Sequence, residues 1–318
     1  MSLTILATAS ILGVSYLFLQ KQDLTPFEKE LLALPDSKYI LEHTRMVNVR
    51  GHRLRIIDIP GKKLDKPILL LIHGLGGQAS QWEDQLEFLR NQASRVVALD
   101  LLGCGSSQGE SKWKSYDTDE LVSDVTAVVN TLDINKGIIA IGHSYGCIIS
   151  TILATRITLQ GLILICCPKL HLTKREKRGQ KLLPFIPDWV INRARRADRK
   201  GGLNSTSVIR ILGTTDANEE IKRRQLRWNL MSRTPVYKRF MSRATMPSTD
   251  IFKKISTNRV LLIGATEDKL APSSNMDQIE KYLQEPPTRL LIQGAGHMPM
   301  VTHTQQVNSA IQDFLAQQ

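Results

Sequence analysis

The feature that most constrains this chain is a recurrence of short apolar runs separated by segments with helical spacing. The runs are Ile68–Ile72, Val96–Leu99, Gly137–Ile141, Gly161–Cys166, Arg259–Ile263 and Arg289–Ile292. A run that is apolar without alternation suits a strand covered on both faces, because neither face meets water. Between the runs, Gln81–Asn91 repeats Trp82, Leu86 and Leu89 at helical intervals, and Asp119–Leu132 gathers Leu121, Val125, Val128 and Val129 on one side. Tyr145–Thr155, Met276–Leu283 and Gln305–Leu315 also read as helices. Repeated strand–helix units predict an α/β fold, with a mostly parallel central sheet flanked by helices on both faces. A strand pair, Arg45–Val49 and Arg53–Ile59, is expected ahead of these units, turning at Arg50-Gly51-His52.

The chain has 318 residues, 42% of them hydrophobic, enough for one large domain with a substantial core and too much for a small disulfide-stapled module. The expected organisation is a hydrophobic membrane-anchor candidate at 1–20, a polar linker with a short helix at 21–44, and one domain at 45–318. The strand–helix alternation stops at Pro168, so 168–245 reads as a mainly helical insertion. The formal charge is +12, which invites a nucleic-acid or anionic-membrane reading. That charge is local: Pro168–Thr245 holds 20 Lys/Arg against 6 Asp/Glu, and the rest of the chain is slightly acidic. Apolar residues, Leu182, Phe185, Trp189 and Val190 among them, are interleaved with the basic runs. Such a segment suits the surface of an anionic bilayer, with an ordinary solvated cap as the bland alternative. No zinc spacing or nucleic-acid-binding signature accompanies the charge, so no nucleic-acid partner is expected.

Leu3–Leu19 is uncharged and is followed by Gln20-Lys21. It is about long enough to span a bilayer, and basic residues on its C-terminal side place the following domain in the cytosol. A signal-anchor is expected; a cleaved signal and a buried or surface-lying helix are the alternatives. The expectation is thus a membrane-associated protein with a cytosol-facing domain, and the sequon Asn204-Ser205-Thr206 unmodified. Cys104, Cys147, Cys166 and Cys167 form neither a disulfide framework nor a zinc site, and read as buried reduced thiols.

In an open parallel sheet, reactive groups gather beyond the carboxyl ends of the strands. Gly142-His143-Ser144-Tyr145-Gly146 lies between a strand and a helix, where a tight turn would expose the Ser144 hydroxyl and the two glycines would provide clearance. A serine needs a base, and His297 lies just past the last strand; an orienting acid is expected after the preceding strand, as Asp268 or its neighbour Glu267, with Asp268 preferred. The backbone N–H groups of Leu75, in His73-Gly74-Leu75-Gly76-Gly77, and of Tyr145 could form an oxyanion hole. His73 reads as a residue tying that loop, and His143 as one with only a local role. No cofactor and no metal are implied.

These residues resemble the α/β-hydrolase superfamily, in particular its lipase, esterase and abhydrolase-domain members. The resemblance runs from about Met46 to the C-terminus, on His73-Gly74, Asp100-Leu101-Leu102-Gly103-Cys104-Gly105-Ser106-Ser107, Gly142–Gly146, Asp268 and Gly296-His297. It implies about eight strands with a cap inserted after the sixth, and a structural rather than catalytic Asp100. Serine at 144 departs from the aspartate of epoxide hydrolases and haloalkane dehalogenases, and the His-x-x-x-x-Asp of members linked to acyl transfer is missing after His297. The expected activity is that of a serine carboxylic ester hydrolase on a lipid-derived ester (glyceride, lysophospholipid or phospholipid). The alternatives are an esterase or thioesterase for small soluble substrates and a catalytically silent membrane interaction protein.

Overall fold

The computed structural model describes residues 24–134 and 137–317. Its strands are β1 (Thr44–Val49), β2 (His52–Pro60), β3 (Ile68–Ile72), β4 (Arg95–Leu99), β5 (Ile138–His143), β6 (Gly161–Ile165), β7 (Val260–Ala265) and β8 (Thr288–Ile292). The helices before the insertion are α1 (Pro26–Ala33), α2 (Lys38–Glu42), α3 (Glu83–Arg90), α4 (Thr118–Thr131) and α5 (Tyr145–Leu153). Within it lie α6 (Lys174–Leu182), α7 (Asp188–Asp198), α8 (Thr206–Leu212), α9 (Glu219–Met231) and α10 (Thr234–Arg243). After it come α11 (Ser274–Glu280), α12 (Pro299–Thr302) and α13 (Thr304–Ala316).

The eight strands form one sheet in the order β1-β2-β4-β3-β5-β6-β7-β8. The β1–β2 and β2–β4 pairings are antiparallel; all the others are parallel. The β1–β2 hairpin closes through Arg50 and Gly51, at φ 50° and 82°, left-handed values that match the twist of the flanking strands. Arg50 is held there by ion pairs to Glu120 and Asp124 on α4.

Side-chain alternation along the strands divides the core in two. Leu54, Ile56, Leu70, Ile72, Val97, Leu99, Ala140, Leu162 and Leu262 face α4 and α5. Their neighbours Ile57, Leu69, Leu71, Val96, Ala98, Ile139, Ile141, Ile163 and Leu261 face α3 and α13. Burial on both sides explains why β3 to β7 read as unbroken apolar runs. Edge strand β8 is largely exposed apart from Ile292.

Two boundaries shift from the sequence reading for local reasons. The helix expected from Gln81 starts as a 3-10 turn, Ala79–Trp82; α3 begins where Glu83 and Asp84 bring negative charge to its N-terminus. The run expected to continue to Cys166 ends at Ile165, because Cys166 takes φ 51° and turns the chain off the sheet.

The described residues before Asp36 group apart from the rest of the chain. There, Thr25 Oγ1 accepts the Glu28 N–H and Glu28 Oε2 accepts the Thr25 N–H, a reciprocal cap on α1. The Leu3–Leu19 segment lies outside the described residues; among the described residues no helix is long and apolar enough to cross a membrane.

Candidate active site

Ser144 occupies the turn between β5 and α5 with φ 52° and ψ −119°, a strained conformation for a residue with a side chain. Close packing enforces it. A Cβ on Gly146 would lie 2.2 Å from the Ile72 carbonyl oxygen, and one on Gly142 would lie 2.5 Å from the Gly146 carbonyl oxygen. Both positions therefore require glycine, and the helix can begin immediately after Ser144 only because they do. The strain lifts the Ser144 hydroxyl off the sheet rim.

His297 and Asp268 converge on it from the loops after β8 and β7. Ser144 Oγ lies 3.0 Å from His297 Nε2, and His297 Nδ1 lies 2.8 Å from Asp268 Oδ2. A carboxylate only accepts, so the imidazole proton sits on Nδ1, leaving Nε2 free to accept from the serine. Asp268 Oδ1 accepts the Leu270 and Ala271 amides, each at 2.8 Å. Burial alone would raise this carboxyl, but the bond to His297 and its charge, with the two amides, outweigh it and hold Asp268 below its ordinary value. Glu267, the alternative acid by sequence, is exposed.

The loop after β3 lies against the serine: a Cβ on Gly74 would come within 2.9 Å of Ser144 Cβ. His73 fixes this loop. Its Nδ1–H donates to the Gly74 carbonyl at 2.7 Å, and its Nε2 accepts the Leu101 amide at 3.0 Å. Asp100 is structural, with its oxygens accepting the Ala79 and Ser106 amides. Leu75 lines the cavity in front of Ser144, and Tyr145, the first residue of α5, has an N–H with no acceptor within its helix.

The role of His143 differs from the local one expected. Its Nε2–H donates to the His297 carbonyl oxygen at 2.7 Å, so the residue before the serine braces the loop that carries the base. Burial drives the His143 imidazole down to about 3, which keeps it neutral. No signal in a single sequence announces a contact between residues this far apart. Cys166, by sequence a buried thiol, also stands at the site, its sulfur within 4.8 Å of the Asp268 carboxylate and the His297 ring. Cys166, Asp268 and His297 are the one group among the described residues spaced to hold a metal ion. Burial pushes the Cys166 thiol well above its ordinary value, which makes it a poor ligand, and Asp268 and His297 are already bonded to each other. All four cysteines are free and buried.

Residues 69–310 match the family model described as the alpha/beta hydrolase family. The chain belongs to the α/β-hydrolase family. It is 25% identical over 305 residues to lipid droplet hydrolase 1 of Saccharomyces cerevisiae, across 80% of this chain and 78% of that protein. It is 32% identical over 108 residues to epoxide hydrolase 4 of Mus musculus, across 34% of this chain and only 30% of that one. Among solved structures it resembles a thermophilic esterase from Thermogutta terrifontis, with TM-score 0.70 and 21% identity over 86% of this chain and 98% of the other. A membrane phospholipase A, with TM-score 0.67 and 21% identity, covers 99% of this chain and 98% of its own.

The insertion between β6 and β7 of this α/β hydrolase covers the site as a helical cap, and its arginines fasten it to the sheet domain. Arg227 pairs with Asp36 at 3.0 Å, Arg224 with Asp84 at 2.9 Å, and Arg243 with Asp117. Arg233 Nε donates to the Gly103 carbonyl at 3.1 Å. Part of the cap's positive charge thus serves internal attachment, which the sequence reading assigned wholly to the surface. Beneath the cap is a cavity of about 350 Å³, with Ser144, His297 and the Gly74–Gly77 loop on one wall and residues of α7 to α10 on the other.

Proposed function

We propose that this α/β hydrolase is a serine carboxylic ester hydrolase acting on a lipid-derived ester. The observation that carries the reading is the unbroken hydrogen-bond chain from Ser144 through His297 to Asp268, opening into the cavity under the cap. In this mechanism Ser144 Oγ attacks the ester carbonyl carbon while His297 Nε2 takes its proton. Asp268 stabilises the imidazolium that forms. The N–H groups of Leu75 and Tyr145 hold the oxyanion, a contribution of about 3 kcal/mol per donor in comparable sites. The imidazolium then returns the proton to the leaving alkoxide, and water, activated by the same imidazole, hydrolyses the acyl-serine. Neither a cofactor nor a metal takes part. A serine-directed fluorophosphonate should label the folded protein, with the adduct on the Ser144 peptide by mass spectrometry; folded but unreactive protein would refute the mechanism.

A lipid substrate is supported by the surroundings of the site. Phe185, on the turn joining α6 and α7, is 82% exposed, and Trp189, in the first turn of α7, is 66% exposed; Leu182 at the end of α6 and Val190 on α7 are exposed too. Lys174, Arg175, Lys177, Arg178, Lys181 and Arg193 flank them along the chain and are exposed as well. Exposed apolar side chains flanked by cations suit an anionic bilayer, and an anchor at Leu3–Leu19 would hold the domain on the cytosolic side of the same membrane. A second reading, hydrolysis of short soluble esters, draws on the polar cap residues in the cavity wall, such as Ser207, Gln225 and Asn229. Turnover of esters of graded acyl length separates the two. A rise with chain length, and with presentation in phosphatidylserine vesicles that Phe185→Ser/Trp189→Ser diminishes, supports the lipid; a preference for acetyl esters overturns it.

A further inference from the structure

Arg195 lies on α7, half-buried in the wall of the cavity that also contains Ser144. Its Nη1 donates to Thr234 Oγ1 at 2.8 Å and its Nη2 to the Asn229 carbonyl at 3.1 Å. The guanidinium stands over the Tyr237 ring at 5.4 Å. All of these partners are neutral. The contrast with Arg210 on the same wall is direct, since that guanidinium is paired with Asp198. Burial, reinforced by the charge of Arg199, works against the charged form of Arg195 and outweighs the favourable charge of Asp198. An arginine has five N–H groups in a rigid fork, and two accepted bonds leave donors for a further acceptor. The same cavity is lined by Gln225, buried, whose Oε1 has no donor, so it offers both a cation and an unfilled acceptor. At about 350 Å³ it is near the lower end of the roughly 300–1,000 Å³ usual for ligand pockets. It suits a head group and the reacting ester better than a whole acyl chain.

We infer that the preferred substrate of the Ser144 site is an ester with an anionic head, a phosphate or a carboxylate, held by the Arg195 fork, with a hydroxyl of the same head donating to Gln225. The inference rests on the serine ester hydrolase reading and narrows its substrate class. An anionic head supplies a directly bonded counter-charge, which Asp198, paired with Arg210, does not, and two parallel N–H···O bonds would fix its orientation. Arg195 is then a specificity-determining residue and takes no part in bond making.

The test compares two esters of one acyl chain, 1-acylglycerol 3-phosphate and 1-acylglycerol, with the full-length enzyme. The wild type should favour the phosphate ester at least about tenfold in kcat/KM. Arg195→Gln should lower kcat/KM for the phosphate ester, through KM, at least about tenfold more than for the neutral ester, and Arg195→Lys should restore part of the preference. A hemisuccinate ester of the same chain distinguishes a carboxylate from a phosphate head, and glycerol 3-phosphate should compete where glycerol does not. Equal use of the two esters by the wild type overturns the inference without recourse to a variant. So does an Arg195→Gln enzyme that loses both activities equally, which would mark a merely structural residue. The serine mechanism is judged separately: Ser144→Ala should still bind the phosphate ester without cleaving it.

Discussion

Ser144→Ala is expected to lower ester turnover by at least about 10⁴-fold and to abolish the fluorophosphonate adduct, with little change in thermal unfolding. The loss is large because, among the described residues, no other hydroxyl is hydrogen-bonded to His297 Nε2, so the base has nothing to activate on the attacking side. Stability should hold because alanine at φ 52° carries the same backbone strain as serine, and the glycine clearances at 142 and 146 are untouched. Only the His297 bond is lost, and Ser144 is accessible enough for water to replace it. Circular dichroism and a melting curve check the fold, and a matched ester assay checks the chemistry. Turnover retained within tenfold would mean that Ser144 is not the nucleophile.

Asp268→Asn should cost about 10⁴-fold in kcat with the fold intact. The Leu270 and Ala271 amides both donate to Oδ1, so an asparagine would keep its carbonyl there and turn its NH₂ toward His297. That NH₂ cannot accept from Nδ1–H. The imidazole proton would move to Nε2, which would then donate to Ser144 Oγ instead of accepting its proton. Glu267→Gln, by contrast, changes an exposed side chain and should leave kcat within about twofold. A comparable loss at Glu267 would reverse the assignment of the acid. The variant also has a pH signature. The Asp268 carboxyl is depressed in the folded protein, so its stabilising contribution is present above its unfolded value, about 4. That contribution is lost as pH falls through the lower folded value, and Asp268→Asn should flatten this part of the acid-unfolding profile.

The sheet was legible because β3 to β7 are covered on both faces, so burial wrote itself into the sequence as runs without polar interruption. The nucleophile and base were legible for a different reason: a strained turn needs glycines at fixed spacing, and the base must stand past the last strand. Asp268 and Glu267 could not be separated by position alone. One residue decides which of them turns inward, and only the fold brings the Leu270 and Ala271 amides to bear on Asp268. The bond from His143 to the His297 backbone, and the pairing of cap arginines with Asp36, Asp84 and Asp117, stayed hidden because both depend on distant segments meeting. Charge composition revealed that the cap was basic, but not which cations faced inward.

The cap leaves the scaffold after β6 and returns at β7, and those two strands are immediate neighbours, with Leu162 beside Val260. The excursion therefore begins and ends close together in space, while Ser144, Asp268 and His297 all belong to the sheet's own connections. One contiguous stretch of the gene could thus be grafted or replaced, provided that the arginine anchorages and the Ile211 carbonyl that accepts the His297 N–H at 2.8 Å are reproduced. Selection could diversify what this protein accepts by rewriting that stretch alone, leaving its chemistry inherited unchanged.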